Sequence, residues 1–453
     1  MAASTLVPPR GAGGRQEGAK AWPARLGYLS RRLNRPLTSY YLLFGSSALL
    51  VALGLLMVLS SSMVDSYTET GSAFSLFRKQ ITAAAIGVPL LLLAAQTPTK
   101  VFRAIGYPAM LVSIALLVFT SLRGQEYYGA TRWLEIGWLT IQPSEPAKLA
   151  FALWGATVLA RKEELNQLVD WRQLLMPLLP GCGVLVLLVL LGSDLGTTFV
   201  LLVIFLALLW VIGAPGRLFL AMFALVAVLV AIMVGVEDFR VTRLTSFLNP
   251  QADPYDAGFQ LIHGLYALGT GGLLGVGIGG SREKWGFLPH PESDFIFAII
   301  GEELGLIGTL LVVGLFGLLG YAGLRVASRV REPFLRLTAA ALTSWITVQA
   351  AVNIGTVIGV LPITGIPLPL VSAGGSSLIP TMLALGILLA IAKNEPDARK
   401  ALAARGPTRT QRALSWLGLD TTGRGGSSAN TTTNQATNRS RPTQVQARRN
   451  RRR

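Results

Sequence analysis

Ten stretches of apolar side chains, most of them close to the length that crosses a lipid bilayer, constrain this sequence more than any other feature. A spanning helix needs about 20 apolar residues. The stretches run 40–62, 81–96, 105–120, 145–160, 173–192, 195–213, 218–236, 295–320, 335–356 and 378–392. A chain built this way lacks the polar surface for a soluble fold. Only 14% of its residues are charged, against about 25% in soluble domains, and its mean hydropathy is +0.53. The expected fold is an all-α polytopic membrane protein with about ten transmembrane helices. The expected organisation is a basic tail at 1–39, a membrane domain at 40–392 and a second basic tail at 393–453. A large extracytoplasmic loop, 237–294, joins helices seven and eight.

An even number of spans puts both termini on one side, and charge chooses the side. With the termini inside, the inner segments hold 31 of the 40 Lys and Arg residues and the outer segments 9. Cytoplasmic loops carry the basic excess, so both termini are expected in the cytoplasm of a cell whose inner membrane holds the protein. Without the tails the comparison narrows to 10 against 9, so the tails decide it. Residues 421–453 carry almost no large apolar side chain and end in an arginine cluster. Such a segment buries too little surface to order itself, and its charge suits anionic lipid headgroups rather than nucleic acid. The N-terminus lacks the apolar core of a signal peptide.

Several chemistries are excluded early. A single cysteine, Cys182, rules out an internal disulfide or a cysteine-based metal cluster. Two histidines, His263 and His290, argue against a histidine-rich metal site, and neither a G-x-S-x-G elbow nor a phosphate-binding P-loop occurs. Carboxylates and cations must carry any catalysis.

Asp294 directly precedes the eighth apolar segment, where it would cap the helix or present a carboxylate at the water–membrane boundary as a general base. Glu302 and Glu303 follow inside the segment. Ionisable groups at such depth face the bundle interior and are functional by default, although pairing with polar neighbours would equally explain them. Glu145 and Lys148 are i,i+3 neighbours at the start of the fourth helix, suited to a local ion pair or, for Lys148, to a phosphate. Asp194 lies in a tight turn where it needs no function beyond capping. Arg132, Arg243, Gln260 and Lys284 are candidate substrate contacts, arginine for its planar fork and lysine as a point charge. Residues 357–378, with Pro362, Gly365, Pro367, Pro369, Gly374 and Gly375, cannot form a continuous helix. Irregular backbone at membrane depth survives only against protein or a wet cavity, so this loop, with Ser376 and Ser377 after it, is expected to border a polar site.

Several motifs resemble the SEDS family (shape, elongation, division and sporulation). They are Gly129-Ala130-Thr131-Arg132-Trp133, Gln142-Pro143-Ser144-Glu145, Asp194-Leu195-Gly196 and Gly258-Phe259-Gln260. Stronger are Ser293-Asp294-Phe295-Ile296-Phe297-Ala298 with Gly301-Glu302-Glu303-Leu304-Gly305, and the run from Leu361-Pro362-Ile363-Thr364-Gly365 to Gly374-Gly375-Ser376-Ser377. The likeness extends from about residue 40 to 395. It implies a peptidoglycan glycosyltransferase that polymerises lipid II outside the cytoplasmic membrane, with inversion at the donor sugar, beside a class B penicillin-binding protein and other division proteins. The family's catalytic aspartate falls on Asp294. The tails and Ser372-Ala373-Gly374-Gly375 are closer to the division branch, which implies the septum. Departures from the family pattern include Glu292 two residues before Asp294, His263-Gly264 in the large loop, Ala373, and Gly192-Ser193 before Asp194.

The rival readings are a flippase for the lipid-linked precursor and a non-catalytic division scaffold. No paired repeat of broken helices, the usual pointer to a transporter, is visible. The inner segments carry 31 cations against 8 acids, whereas the remainder carries 9 against 15. An acidic outer face handling a pyrophosphate implies a divalent cation, Mg or Mn, as the one cofactor; no organic cofactor is expected.

Overall fold

In the computed structural model, residues 35–405 are described except 128–129, 137–138, 168–170, 223, 225–246, 248, 253 and 255–257. Arg243 and most of the segment 218–236 therefore lie outside the described residues. The first three helices are α1 (Thr38–Thr70), α2 (Ser75–Gln96) and α3 (Thr99–Arg123). Three short strands follow, β1 (Gln125–Tyr127), β2 (Ala130–Ile136) and β3 (Leu139–Ile141). Then come α4 (Ser144–Glu164), α5 (Trp171–Leu175), α6 (Leu178–Leu191), α7 (Leu195–Val211) and α8 (Phe259–Gly271). The chain continues through α9 (Ile296–Arg329), α10 (Pro333–Val357), α11 (Gly375–Ala392) and α12 (Pro396–Arg405).

Among the described residues, α1, α2, α3, α9, α10 and α11 are long and apolar enough to cross a membrane, and α6 and α7 are shorter apolar helices. The expected segment 173–192 is divided at Pro177 into α5 and α6, because proline supplies no N–H to continue a helix. The strands correct the all-α expectation. They form an antiparallel sheet in the order β1-β2-β3, in which Leu134 faces Ile141 and Ile136 faces Leu139. An apolar cross-strand pair such as Leu134 with Ile141 stabilises a sheet.

Helix α4 sits at the centre, against α3, α7 and α10. Every residue from Ala147 to Ala160 is buried. Its alanines and Gly155 replace the leucines of a lipid-facing helix, since small side chains let neighbouring helices approach.

Helix α9 is the other deviation from expectation. Its backbone leaves helical geometry at Gly305 (φ 66°, ψ −164°). Segment 295–320 is therefore a nine-residue half-helix, 296–304, followed by a separate long helix. Breaking a helix strands backbone groups that need partners in a membrane. Here the glycine-rich stretch after α8 supplies them. Val276 N–H donates to Glu302 O at 2.9 Å and Gly277 N–H to Glu303 O at 3.1 Å. In the other direction, Leu306 N–H donates to Gly272 O at 2.9 Å. The approach is so close that a Cβ on Gly271 would lie 1.9 Å from Gly301 O, and one on Gly275 2.2 Å from Glu303 O.

Candidate functional site

The half-helix begins at Asp294, and the surrounding frame is built from polar groups set into apolar helices. The helix N-cap position is Phe295, with no side-chain cap, so Asp294 is not the cap that its sequence position suggested. It lies in the preceding turn, half-buried. Asn353, on α10, donates its amide to Asp294 O at 2.7 Å and to Ile366 O at 2.8 Å. One side chain thus ties the Asp294 turn to the proline-rich loop 358–374. That loop passes close to the carboxylate, since a Cβ on Gly365 would lie 3.5 Å from Asp294 Oδ2.

Further bonds fix the loop. Ser372 Oγ donates to Ser293 O at 2.6 Å while accepting from Leu368 N–H at 2.8 Å. Ala373 N–H donates to Glu292 O at 2.8 Å. Gln80, buried on α2, donates to Ser372 O and accepts from Gly374 N–H. Gln349, one turn before Asn353, donates to Pro367 O at 3.0 Å. Its carbonyl oxygen accepts from Trp345 Nε1 at 2.8 Å and Lys148 Nζ at 3.1 Å. These two donors turn the Gln349 amide nitrogen toward the loop.

Lys148 is accordingly buried, only 1% exposed, with its ammonium 2.8 Å from Glu145 Oε1. Lys284 is buried as well, 3.0 Å from Glu303 Oε1, and Ser60 on α1 donates to the same carboxylate at 2.7 Å. Glu302 accepts from Ser281 Oγ and, at 2.9 Å, from Arg282 N–H. Glu302 and Glu303 therefore tie the half-helix to 281–284 and, through Glu303, to α1. An ionised buried pair is tolerable where further hydrogen bonds satisfy both partners, and Lys284 also donates to Gly279 O at 2.7 Å.

The remaining candidates scatter around this frame. Asp194 caps α7, accepting from Thr197 N–H at 3.0 Å, and also binds Thr197 Oγ1 and Gln142. Arg132 on β2 donates to the Gly192 and Ser193 carbonyls, holding the turn before that cap. Gln260 donates to Pro289 O at 3.3 Å. Ser376 and Ser377 occupy the half-exposed first turn of α11. Beside Asp294, Glu292 has a buried Oε2 without a hydrogen-bond partner among the described residues. Its Oε1 lies 3.9 Å from His290 Nδ1. The interaction with Glu292 raises the His290 pKa above its ordinary value, with Asp294 and Asp65 adding to the effect.

Among the described residues, no group of three or more His, Cys, Asp or Glu side chains is arranged to hold a metal ion. Within the described residues, then, side-chain donors alone do not form a metal centre. Sequence reasoning also missed Gln80, Gln349, Asn353, Ser60 and Ser372. The available signal was a set of amides inside apolar helices, with Gln349 and Asn353 four residues apart on one face.

With this geometry in view, the chain can be set beside known proteins. The FtsW/RodA/SpoVE family profile, described as "Cell cycle protein", matches residues 40–397. The "Probable peptidoglycan glycosyltransferase FtsW" of Mycobacterium tuberculosis is 43% identical over 384 residues, covering 84% of this chain and 73% of that protein. "Stage V sporulation protein E" of Bacillus subtilis is 35% identical over 349 residues, covering 76% and 94%. A solved chain from a peptidoglycan synthase complex superposes with a TM-score of 0.65 at 28% identity, covering 78% of this chain and 97% of that one. RodA of Thermus thermophilus gives a TM-score of 0.58 at the same identity and coverage. A profile match over most of the sequence, relatives above 30% identity and a shared helical architecture make this chain a multi-pass membrane protein of the FtsW/RodA/SpoVE family.

Proposed function

We propose that the protein is a peptidoglycan glycosyltransferase that polymerises lipid II at the outer face of the cytoplasmic membrane, with Asp294 as general base. The observation that carries the assignment is the placement of Asp294. Its carboxylate is half-exposed beside the Gly365 backbone, on a turn fixed by Asn353 and Ser372 from elements far away in sequence. Names of curated relatives support the reaction class.

In the reaction, Asp294 takes the proton from the acceptor sugar's 4-hydroxyl. The freed oxygen attacks the donor's anomeric carbon, the bond to pyrophosphate breaks with inversion, and undecaprenyl pyrophosphate leaves. General-base catalysis contributes about 10²–10⁴-fold. A further share comes from holding the base and both sugars in line, which is the work of the Asn353, Ser372, Gln349 and Gln80 bonds. With Lys148 and Lys284 each engaged by a buried glutamate, the frame is their role, and Arg132 and Asp194 likewise hold the turn before α7. Gln260, Ser376, Ser377 and Arg243 remain proposed substrate contacts. A Mg or Mn ion, as the charge balance suggests, is also proposed, and chelator sensitivity of polymerisation tests it.

The organisation proposed with this activity is ten spans, both termini in the cytoplasm, residence at the septum and a class B penicillin-binding protein as partner. Polymer formed from lipid II by the purified full-length protein with that partner is the test. Asp294→Asn should reduce it by about 10²–10⁴-fold; a folded variant that polymerises normally overturns the assignment. The broken helix at Gly305 favours one other reading, lipid flipping, because discontinuous helices mark transporter sites. Flipping by the same preparation in proteoliposomes, without polymer, would support that alternative.

A further inference from the structure

At the far end of α9 from Asp294, beyond about 36 Å of helix after the Gly305 break, the chain forms a cavity of about 310 Å³. It is lined by Val330, Arg331, Glu332 and Leu335 from the α9–α10 turn, and by Asn394, Pro396, Arg399 and Lys400 where α12 folds back. Helix α12 is docked there rather than trailing: Ala398 is fully buried and Glu395 nearly so. Three cations and one carboxylate face the same space. All three cations are exposed, and none lies within 4 Å of a carboxylate among the described residues, in contrast to Arg103 and Arg336, which pair with Glu164 and Glu163.

The cavity wall adds a second attraction for anions. Helix α10 begins at Pro333 with no side-chain cap at Glu332, so the first backbone N–H groups of a 25-residue helix sit at its edge. Such ends favour negative charge. The remaining wall combines three apolar residues, Val330, Leu335 and Pro396, with the Asn394 amide. Charge on one side and hydrocarbon on the other, at the end of a spanning helix, match a phosphate attached to an apolar or glycerol moiety.

We propose that this cavity binds a phosphate group, presented by an anionic phospholipid headgroup or as a soluble phosphate. The site is separate from the Asp294 frame, so its test does not depend on glycan synthesis.

Full-length protein in detergent is titrated with phosphatidylglycerol and followed by native mass spectrometry, and with inorganic phosphate by calorimetry. The triple variant Arg331→Gln/Arg399→Gln/Lys400→Gln is compared with Arg448→Gln/Arg449→Gln/Arg451→Gln, which removes equal charge from the C-terminal tail. The proposal expects affinity to fall by about fivefold for each cavity cation removed and to be unchanged in the tail variant. Loss confined to phosphatidylglycerol identifies a lipid headgroup, and loss for inorganic phosphate alone identifies a soluble ligand. Equal losses in the two variants, or no loss in the cavity variant with either probe, overturn the proposal.

Discussion

Asn353 shows how a single side chain organises this site, since its amide binds the carbonyls of Asp294 and Ile366 together. Replacing it with leucine leaves both carbonyls unpaired, at about 1–3 kcal/mol each. Polymerisation by Asn353→Leu should therefore fall mainly in kcat, with Asn353→Asp retaining the shape but losing the donor. The buried Lys284–Glu303 pair gives a sharper expectation. Lys284→Met alone should destabilise the protein by about 3–5 kcal/mol, because it leaves a buried carboxylate uncompensated. Lys284→Met/Glu303→Leu should recover much of the lost thermal midpoint. His290 carries the pH dependence. Its pKa is raised in the folded protein, so the stabilisation it contributes is complete below its ordinary value near 6.5 and is lost as pH rises through the raised value. The thermal midpoint of the unmodified protein should drop across that window relative to His290→Gln, and equal slopes would contradict the assignment. At this scale the sequence singled out Glu302 and Glu303 because charge inside apolar segments is rare, and Asp294 because it directly precedes such a segment. It did not reveal Gln80, Gln349 or Asn353, because uncharged amides stand out little against polar helix ends.

At the scale of elements, the glycine-rich stretch and the half-helix are one construction. Gly271→Ala would drive a methyl group to within 1.9 Å of Gly301 O, backbone that cannot rotate away. Overpacking costs about 1–3 kcal/mol, and the half-helix carrying Asp294 would be displaced as well. The thermal midpoint and polymerisation should fall together in Gly271→Ala, whereas Gly269→Ala, which meets nothing within 4 Å, should change neither. The sequence disclosed the glycines and the helix but not the break at Gly305. The break depends on the four backbone partners supplied by 272–277, which are visible only when the two segments meet. The small sheet escaped notice for a related reason. Its strands are three to seven residues long, too short for alternation to outweigh the flanking helical runs.

For the whole molecule, orientation is the prediction to check. A cysteine introduced in the C-terminal tail, Ser427→Cys, should resist a membrane-impermeant maleimide in intact cells and react after permeabilisation. Cys182 is buried and supplies little background. Reaction in intact cells would place the tail outside and reverse the orientation proposed from charge. The sequence by itself determined that this is a membrane protein, where the centres of its described apolar helices lie, and, through motifs shared with a known family, which carboxylate is the candidate base. The first two properties follow from bilayer thickness and the cost of burying charge, which act on local sequence. The tertiary structure decided which charges face one another. It set Lys148 and Lys284 in buried ion pairs with Glu145 and Glu303, divided the eighth segment at Gly305 and joined α2 and α10 to the loop beside Asp294. A hydrogen bond between residues some 290 positions apart, such as Gln80 to Ser372, has no periodicity and no local composition. It exists only because helix packing brings the two groups together and a membrane interior leaves them few other partners.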